Sequence, residues 1–165
     1  MRQTRHRFSN NRRKAGFSLI ELLVVMTIIG LVASVSLPRL GKLRDQGQLS
    51  SALTRFTRAV MAARQSAIQR GKHAYFKQNN NDIWVVVDTT GTNADSVIVT
   101  STLNLSTLYG VTVVSPSGPN SIEYDPRGIS AQAAKQIFAF KHTNSGMVDT
   151  LCVSKLGNTI RDRCP

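Results

Sequence analysis

The chain of 165 residues lacks most of the side-chain groupings on which enzymes and metalloproteins depend. Its only three histidines, His6, His73 and His142, are isolated from one another in the sequence. No cluster of His, Cys and carboxylates has metal-ligand spacing, and there is no Gly-rich phosphate loop and no Gly-x-Ser-x-Gly turn. The nine acidic residues are scattered singly, without a carboxylate pair for acid–base chemistry. We therefore predict that the protein is not an enzyme and holds neither a metal ion nor a cofactor.

A long apolar run is present instead. From Phe17 to Leu37 the sequence contains no Lys, Arg or Asp, and about 20 apolar residues suffice for a helix to cross a hydrocarbon layer of roughly 30 Å. One carboxylate, Glu21, lies near the start of this run. A charged group in a membrane helix costs roughly 2.5 kcal/mol or more, so we predict that Glu21 is functional and has a partner. The alternatives are a protonated side chain, or one shallow enough to reach the lipid headgroups.

The residues before the apolar run form a basic leader, 1–16. It contains six cations and no acid: Arg2, Arg5, Arg7, Arg12, Arg13 and Lys14. The positive-inside rule holds this leader in the cytoplasm and places everything after Pro38 outside. An ordinary secretory signal would have a shorter apolar region, of about 7–15 residues. A plain signal-anchored membrane protein would leave Glu21 unexplained.

Cysteine is scarce, with Cys152 and Cys164 the only two. Both lie in the exported part of the chain, where disulfides form and persist. We therefore predict a bridge between them that holds the carboxyl-terminal tail to the last strand. Two free thiols are the alternative.

The junction between leader and apolar run resembles the class III signal of type IV pilins and pseudopilins. Lys14-Ala15-Gly16 is followed by Phe17, the residue after the cleavage site in such signals. Counted from Phe17, Glu21 is the fifth residue, and the helix that follows carries Gly30 and Pro38. The resemblance implies that a prepilin peptidase cleaves after Gly16 and methylates the new amino terminus at Phe17. It also implies that Glu21 directs filament assembly, because its carboxylate would meet the Phe17 amine of a neighbouring subunit and neutralise two buried charges. Cleavage would lower the formal net charge from +12 to +6.

Beyond Pro38 the pattern becomes that of an amphipathic helix continuing to about Gln69, weakened at Gly41 and Gly47. Apolar residues recur at spacings of four and three, which indicates one buried face: Leu49, Leu53, Phe56, Val60, Ala63 and Ala67. Three arginines lie within about 60° of one another on the opposite side and form a basic face: Arg44, Arg55 and Arg58.

After Gly71, short β-rich runs alternate with Asn, Gly, Ser and Pro clusters, as strands alternate with turns. The predicted strands are 74–76, 84–87, 97–100, 111–114, 122–124, 137–140 and 147–153. Residues 79–81 and 89–95 are predicted hairpin loops, and 115–120 is a further turn. Trp84, Phe138 and Phe140 are predicted core residues.

The predicted fold is therefore α+β: a long amino-terminal helix, its first half transmembrane and its second half packed on a carboxyl-terminal antiparallel β-sheet domain. The predicted segments are the leader 1–16, the transmembrane half 17–37, the amphipathic half 38–70 and the periplasmic domain 71–165.

Three further features together resemble the GspH/FimT family: the helix end at 62–68, the strand and turn at 122–128, and the Cys-to-Cys tail. This resemblance implies a minor pilin-like subunit that acts in type IV pilus initiation and tip assembly. The alternative is a GspH-type minor pseudopilin of a type II secretion system. The implied partners are other major and minor pilins, the prepilin peptidase and the inner membrane. The chain would cross that membrane once, with its carboxyl-terminal domain in the periplasm, and then join a filament on the cell surface.

Some FimT-like minor pilins bind DNA during natural transformation through a carboxyl-terminal Gly-Arg-x-Arg motif. Here Arg161 and Arg163 supply the arginines, whereas Ile160 stands at the glycine position and Asp162 intervenes. Cations that neutralise phosphates bind DNA without reading its sequence. The candidate residues for capture of double-stranded DNA are Arg161, Arg163, Lys155, Lys141 and Lys135. The alternative is a solvated basic surface, or one that contacts acidic neighbours in the filament.

Overall fold

The computed structural model describes residues 17–88, 96–116, 119–132 and 134–161. Its elements are α1 (Leu19–Arg70), β1 (Ala74–Asn79), β2 (Asp82–Asp88), β3 (Ser96–Asn104), α2 (Leu105–Tyr109), β4 (Val111–Ser115), β5 (Pro119–Tyr124), β6 (Gln136–His142), β7 (Val148–Val153) and β8 (Thr159–Arg161). The chain divides into two compact units, Met1–Arg39 and Leu40–Pro165. The predicted α+β class, with a long amino-terminal helix and antiparallel strands, is confirmed.

Helix α1 is 52 residues long, with an acidic residue in its first turn and a basic one in its last, both favourable to the helix dipole. Among the described residues no single helix has both the length and the hydropathy of a membrane span. The segments Leu19–Ser34 and Arg39–Arg70 meet the criterion only as a pair, by length and composition.

The amphipathic part of α1 buries the face that its periodicity predicts. All six apolar residues of the stripe, from Leu49 to Ala67, are buried, at most 5% exposed. The helix ends at Arg70, one residue beyond the predicted end, where Gly71 adopts a positive φ of 61°. The backbone N–H of Lys72 then donates to the carbonyl of Ala67, as in glycine-terminated helices.

The strands form two antiparallel four-stranded sheets. Sheet A has the order β3-β2-β1-β5, and sheet B has the order β4-β6-β7-β8. All seven predicted strands overlap strands of the structure. The sequence pattern missed β8 and α2, which are three and five residues long. Elements of this length are too short to show a hydrophobic period.

The connections agree with the predictions in part. Asn80 has a positive φ of 51° in the tight turn between β1 and β2, as expected of a hairpin loop rich in asparagine. The predicted turn at 115–120 does not close a hairpin, because it carries the chain from β4 in sheet B to β5 in sheet A. The predicted loop at 89–95 lies outside the described residues.

The core lies between α1 and the two sheets and is centred on Phe56. Its ring lies 4.8 Å from that of Phe76, 4.6 Å from that of Phe138 and 5.0 Å from that of Phe140. All four side chains are fully buried, so the core prediction for Phe138 and Phe140 is confirmed. The prediction for Trp84 is wrong, because this residue is half-buried and does not belong to the core. On β2 the core face is occupied by its neighbours Ile83 and Val85.

The turn after β5 docks on the end of α1. Asp125 Oδ1 accepts hydrogen bonds from the backbone N–H groups of Ile129 and Arg127, and the bond from Ile129 is the main cause of its lowered pKa. Gly128 has a φ of +77°, and Ile68 Cδ1 lies 2.6 Å from where a β-carbon on Gly128 would stand. Arg64 Nε donates to the Gly128 carbonyl at 3.1 Å. Glycine is therefore required here both by the backbone conformation and by the close helix.

Tyr124, at the end of β5, carries a fully buried hydroxyl that has no hydrogen-bond partner among the described residues. Burial raises the pKa of Tyr124 to about 12, against an opposing effect of the Arg64 charge. The folded state therefore favours the neutral phenol. This contribution to stability is complete below the unfolded-state pKa of about 10 and is lost as the pH rises through about 12.

We expect Tyr124→Phe to be at least as stable as the wild type at neutral pH, because it removes an unpaired buried hydroxyl. It should also lose less stability than the wild type between about pH 9 and pH 11. Urea denaturation at both pH values measures this, with Tyr109→Phe, which removes a hydroxyl bonded to Arg55, as the matched control. Equal alkaline losses in Tyr124→Phe and the wild type would contradict the assignment.

Candidate functional site

The amino-terminal unit presents the predicted processing and assembly residues at its start. Phe17 is 76% exposed and precedes α1. Glu21 lies in the first turn of α1, where a carboxylate is favoured by the helix dipole, and it is also exposed. Gly16 lies outside the described residues, so cleavage after it stays a prediction.

The helix surface that follows is apolar and uncovered. From Phe17 to Val32, twelve large apolar side chains are 44–83% exposed. Monomeric soluble proteins rarely expose contiguous apolar patches larger than a few hundred Å². This part of α1 therefore exposes more apolar surface than a monomeric soluble protein normally does.

Arg161, the first of the predicted DNA ligands, is occupied within the protein. Its Nε lies 2.7 Å and its Nη2 2.6 Å from Asp149 Oδ2 on the neighbouring strand β7, and its Nη1 donates to Ser50 Oγ of α1 at 3.1 Å. In the ladder Arg161 pairs with Leu151, which pairs with the core residue Phe138. Arg161 thus lies on the helix-facing side of sheet B and holds β8 to β7 and α1.

The three predicted lysines are exposed and have no carboxylate partner among the described residues, but they do not form one patch. Lys135 precedes β6 and Lys155 follows β7 at the same end of the ladder, because Gln136 pairs with Val153. Lys141 pairs with Val148 at the other end. At about 3.3 Å per residue, Lys135 and Lys141 are about 20 Å apart.

The remaining tail residues stay predictions, since Arg163 and Cys164 lie outside the described residues. Cys152 is 3% exposed on β7 and pairs in the ladder with Ile160 of β8. The predicted bridge from Cys152 to Cys164 would therefore start at the strand next to the tail.

Two members of the predicted basic face line a groove beside α1. Arg55 and Arg58 border a cavity of about 410 Å³ together with hydroxyl residues, and also an adjoining one of about 190 Å³ towards β3. Arg55 Nε donates to the Tyr109 hydroxyl at 3.2 Å. Neither arginine is paired with a carboxylate within the ranges that the structure describes. Arg44 does not line either cavity.

His142 has a structural role in the unit Leu40–Pro165. It is 1% exposed, its Nδ1 accepts from the Ser145 backbone N–H at 3.3 Å, and its Nε2 lies 3.0 Å from Gln48 Oε1. These bonds join α1 to the hairpin between β6 and β7. The described ranges contain no group of three or more His, Cys, Asp or Glu residues arranged to hold a metal ion.

The chain is similar to known pilin-like proteins. A family model for the prokaryotic N-terminal methylation motif matches residues 11–37, and one for the type II transport protein GspH matches residues 52–157. No curated protein sequence matches the chain. The solved structures similar to it include two crystal forms of the type IV minor pilin FimU from Pseudomonas aeruginosa, each 14% identical. One covers 72% of this chain and 90% of its own with a TM-score of 0.53, and the other covers 69% and 92% with a TM-score of 0.50. At this identity the likeness concerns the fold.

Proposed function

The chain belongs to the GspH family of pilin-like proteins, and from this premise we propose that it is a minor subunit of a type IV pilus that acts in pilus initiation and tip assembly. The leader would remain in the cytoplasm until a prepilin peptidase cleaves after Gly16. The domain 71–165 would fold in the periplasm. The mature subunit would then leave the inner membrane for the filament.

The observation that carries this proposal is the start of α1. Phe17, Glu21 and twelve exposed apolar side chains form a surface that suits a lipid layer before assembly and neighbouring helices afterwards. Inside such a low-dielectric packing the Glu21 carboxylate needs a positive partner. The amine that cleavage would create at Phe17 of an adjacent subunit supplies one, which couples processing to assembly.

The test is the distribution of a Glu21→Ala variant between the membrane and sheared filaments. We expect normal processing, but at least about a tenfold loss from the filament fraction. Without the Glu21 carboxylate the positive Phe17 amine of the adjacent subunit is left unpaired, and an unpaired charge in apolar packing costs roughly 2.5 kcal/mol or more. Asp45→Ala removes another carboxylate of α1 and is the matched control. Mass spectrometry of the mature amino terminus should find methylated Phe17. Wild-type amounts of Glu21→Ala in filaments, or a different amino terminus, would overturn the proposal.

The second candidate is a GspH-type minor pseudopilin, favoured by the match of the GspH model to residues 52–157. The physical role of Glu21 is the same in both filaments, so the Glu21 variant does not separate them. Deletion of the gene does separate them. Loss of surface pili with normal protein secretion supports the pilus subunit, whereas loss of secretion with normal pili supports the pseudopilin.

DNA capture is a further proposed role, and its support is three exposed lysines that have no carboxylate partner in the described part of the chain: Lys135, Lys141 and Lys155. Each phosphate that they neutralise should contribute about −0.9 to the slope of log K against log salt concentration on duplex DNA. The informative variant replaces the three lysines with glutamine, because Arg161 is used within the fold. A slope less negative for the triple lysine variant than for the wild type supports this site. An unchanged slope rejects it, and a slope lost only in Arg55→Gln/Arg58→Gln would place DNA in the groove beside α1.

A further inference from the structure

The groove beside α1 carries two arginines whose charges are not neutralised within the described part of the protein. It consists of the two adjoining cavities, of about 410 and 190 Å³, that Arg55 and Arg58 border together. Both side chains are exposed, and neither forms an ion pair among the described residues. No acidic residue of the described ranges lines either cavity. The groove is therefore a cationic surface without a counter-charge of its own.

The two parts of the groove differ in chemistry. The larger cavity is lined by hydroxyl groups, among them those of Ser51, Thr54 and Tyr109. Apolar side chains line most of the smaller one: Ala59, Ala62, Ile83 and Leu103. A small anion needs only cations and hydroxyl groups. The apolar continuation favours a ligand that combines anionic groups with aliphatic ones, as a peptide segment does.

Strand β3 borders the smaller cavity and is an edge strand of sheet A. It pairs with β2 alone among the described strands, so its other side presents backbone N–H and C=O groups that no described strand uses. Its nine residues include no charged residue and no proline, two common means by which proteins protect an edge. An open edge of this kind accepts an additional strand from an extended peptide.

The register of β3 shows which side of an added strand would face the groove. Leu103 pairs with the core residue Ile83, so it lies on the helix-facing side of sheet A. The ladder shifts register beside Thr100, whose Oγ1 accepts the Val85 backbone N–H at 3.1 Å, and Thr100 also lines the groove. A strand added beside β3 would turn alternate side chains to this helix-facing side, where the arginines of α1 lie.

We propose that the groove binds an extended acidic segment of another subunit, which adds to the free edge of β3 and pairs two carboxylates with Arg55 and Arg58. Residues three apart on a helix have β-carbons about 5–6 Å apart. Residues two apart on a strand lie on one face, about 6.6 Å apart. The groove therefore suits acids at alternate positions, as in Glu-x-Glu. This proposal rests on the proposed assembly function for the identity of the partner, and on the groove for its chemistry.

Duplex DNA is the competing anion. Neutralising its phosphates requires one cation for each, and the groove offers two arginines among the described residues. The apolar wall formed by Ala59 and Leu103 provides nothing to a phosphate, and an open strand edge provides peptide groups rather than cations. These features favour a protein segment over DNA.

Trp84 is a local reporter for such binding. It is the only tryptophan of the chain, and its neighbours Ile83 and Val85 occupy the core face of β2, so Trp84 lies on the outer face of sheet A. There it borders a separate cavity of about 250 Å³. Since β2 is next to β3, a strand added to β3 would lie about 10 Å from β2. Energy transfer from Trp84 to a dansyl group on a peptide therefore detects binding at this edge.

The probe is a dansyl-labelled peptide with blocked termini, TVEVEVT, added to the full chain in a non-ionic detergent. We expect saturable energy transfer with a Kd on the order of 100 μM. The peptide TVQVQVT should bind at least about fivefold more weakly, because both ion pairs are lost. The peptide TVVEEVT keeps the composition and charge, but its neighbouring glutamates point to opposite faces of a strand. It should bind at least about threefold more weakly, because one ion pair is lost.

Protein variants test the groove from the other side. Arg55→Gln/Arg58→Gln should weaken binding of TVEVEVT at least about fivefold, whereas Lys141→Gln/Lys155→Gln, which removes two exposed cations elsewhere in the domain, should leave it unchanged. Ala62→Glu keeps both arginines and places a carboxylate four residues after Arg58, so it should weaken binding too. Ala62→Gln has the same size without the charge, and it should bind at least about threefold more tightly than Ala62→Glu.

No saturable transfer up to about 2 mM peptide, with the circular dichroism spectrum unchanged, would overturn the proposal. So would equal binding of TVEVEVT and either of the other two peptides. Displacement of the peptide by duplex DNA at an equal concentration of negative charge, with the same dependence on Arg55 and Arg58, would reassign the groove to nucleic acid. Because the assay needs no filament, its failure is distinguishable from a failure of the Glu21→Ala test of assembly.

Discussion

Replacing Phe56 with alanine is expected to lower the free energy of unfolding of the globular unit by about 3–5 kcal/mol. This side chain of α1 is fully buried and contacts rings from both sheets, Phe76 of sheet A and Phe138 and Phe140 of sheet B. Truncation removes the buried apolar area and leaves a cavity that surrounding strands cannot fill without breaking their ladders. It also removes three tilted or edge-to-face ring contacts, each contributing about 0.5–1.5 kcal/mol.

Urea denaturation of the full chain in detergent, followed by far-ultraviolet circular dichroism, measures this loss. Met61→Ala on the same helix is the matched control, because Met61 is 44% exposed and its truncation should change stability by no more than about 0.5 kcal/mol. If Phe56→Ala were as stable as Met61→Ala, the packing of α1 against both sheets through Phe56 would be wrong. Phe56→Leu, which keeps most of the volume, should fall between the two.

The second large effect is expected at the ion pair between Arg161 and Asp149. The Asp149 side chain is 8% exposed, whereas that of Arg161 is 43% exposed. Arg161→Ala leaves a nearly buried carboxylate without its counter-charge, so we expect a loss of about 2–4 kcal/mol, below the 3–5 kcal/mol typical of a fully buried pair. Asp149→Ala leaves a guanidinium that can reach water, and it should cost less, about 1–2 kcal/mol.

A double-mutant cycle tests this asymmetry. The double variant should lose less stability than the sum of the two single variants, because the second substitution removes the group that the first left unpaired. Lys155→Ala, an exposed cation near the same tail, is the control and should be nearly neutral. Additive single effects, or a larger loss in Asp149→Ala than in Arg161→Ala, would contradict the structural role of the pair. The cycle also decides how a DNA-binding defect of any Arg161 variant is interpreted, because loss of β8 would disturb the whole tail.

Local pattern is sufficient for much of this fold. The stripe from Leu49 to Ala67 lies on one helix face because a helix repeats every 3.6 residues, and those residues are the ones buried. Strands such as β1 and β6 are indicated by β-branched and aromatic residues between turn-forming clusters. The junction at Gly16 and Phe17, with Glu21 behind it, likewise lies in one short continuous segment, and its resemblance to the pilin signal depends on no contact between distant residues.

Long-range pairing cannot be inferred in this way. That β4 and β5 belong to different sheets, and that β8 joins β7, depends on contacts between segments distant in the chain. Arg161 resembles a free phosphate ligand in the sequence because the residues between it and Asp149 contain no periodic signal that would predict their pairing. Hydrophobicity alone favours a core position for Trp84, but its face of the sheet depends on the register with Ile83 and Val85 turned inward.

The amino-acid sequence is thus enough to identify the apolar half of the helix and the helix face that packs inward, because each of these is encoded by neighbouring residues. The leader 1–16 and its cleavage after Gly16 stay predictions. The folded chain is needed to show which cations are paired, where the groove beside Arg55 and Arg58 lies and that Trp84 borders a cavity. Those features depend on strand register and on packing between elements, in which residues far apart in sequence supply each other's partners.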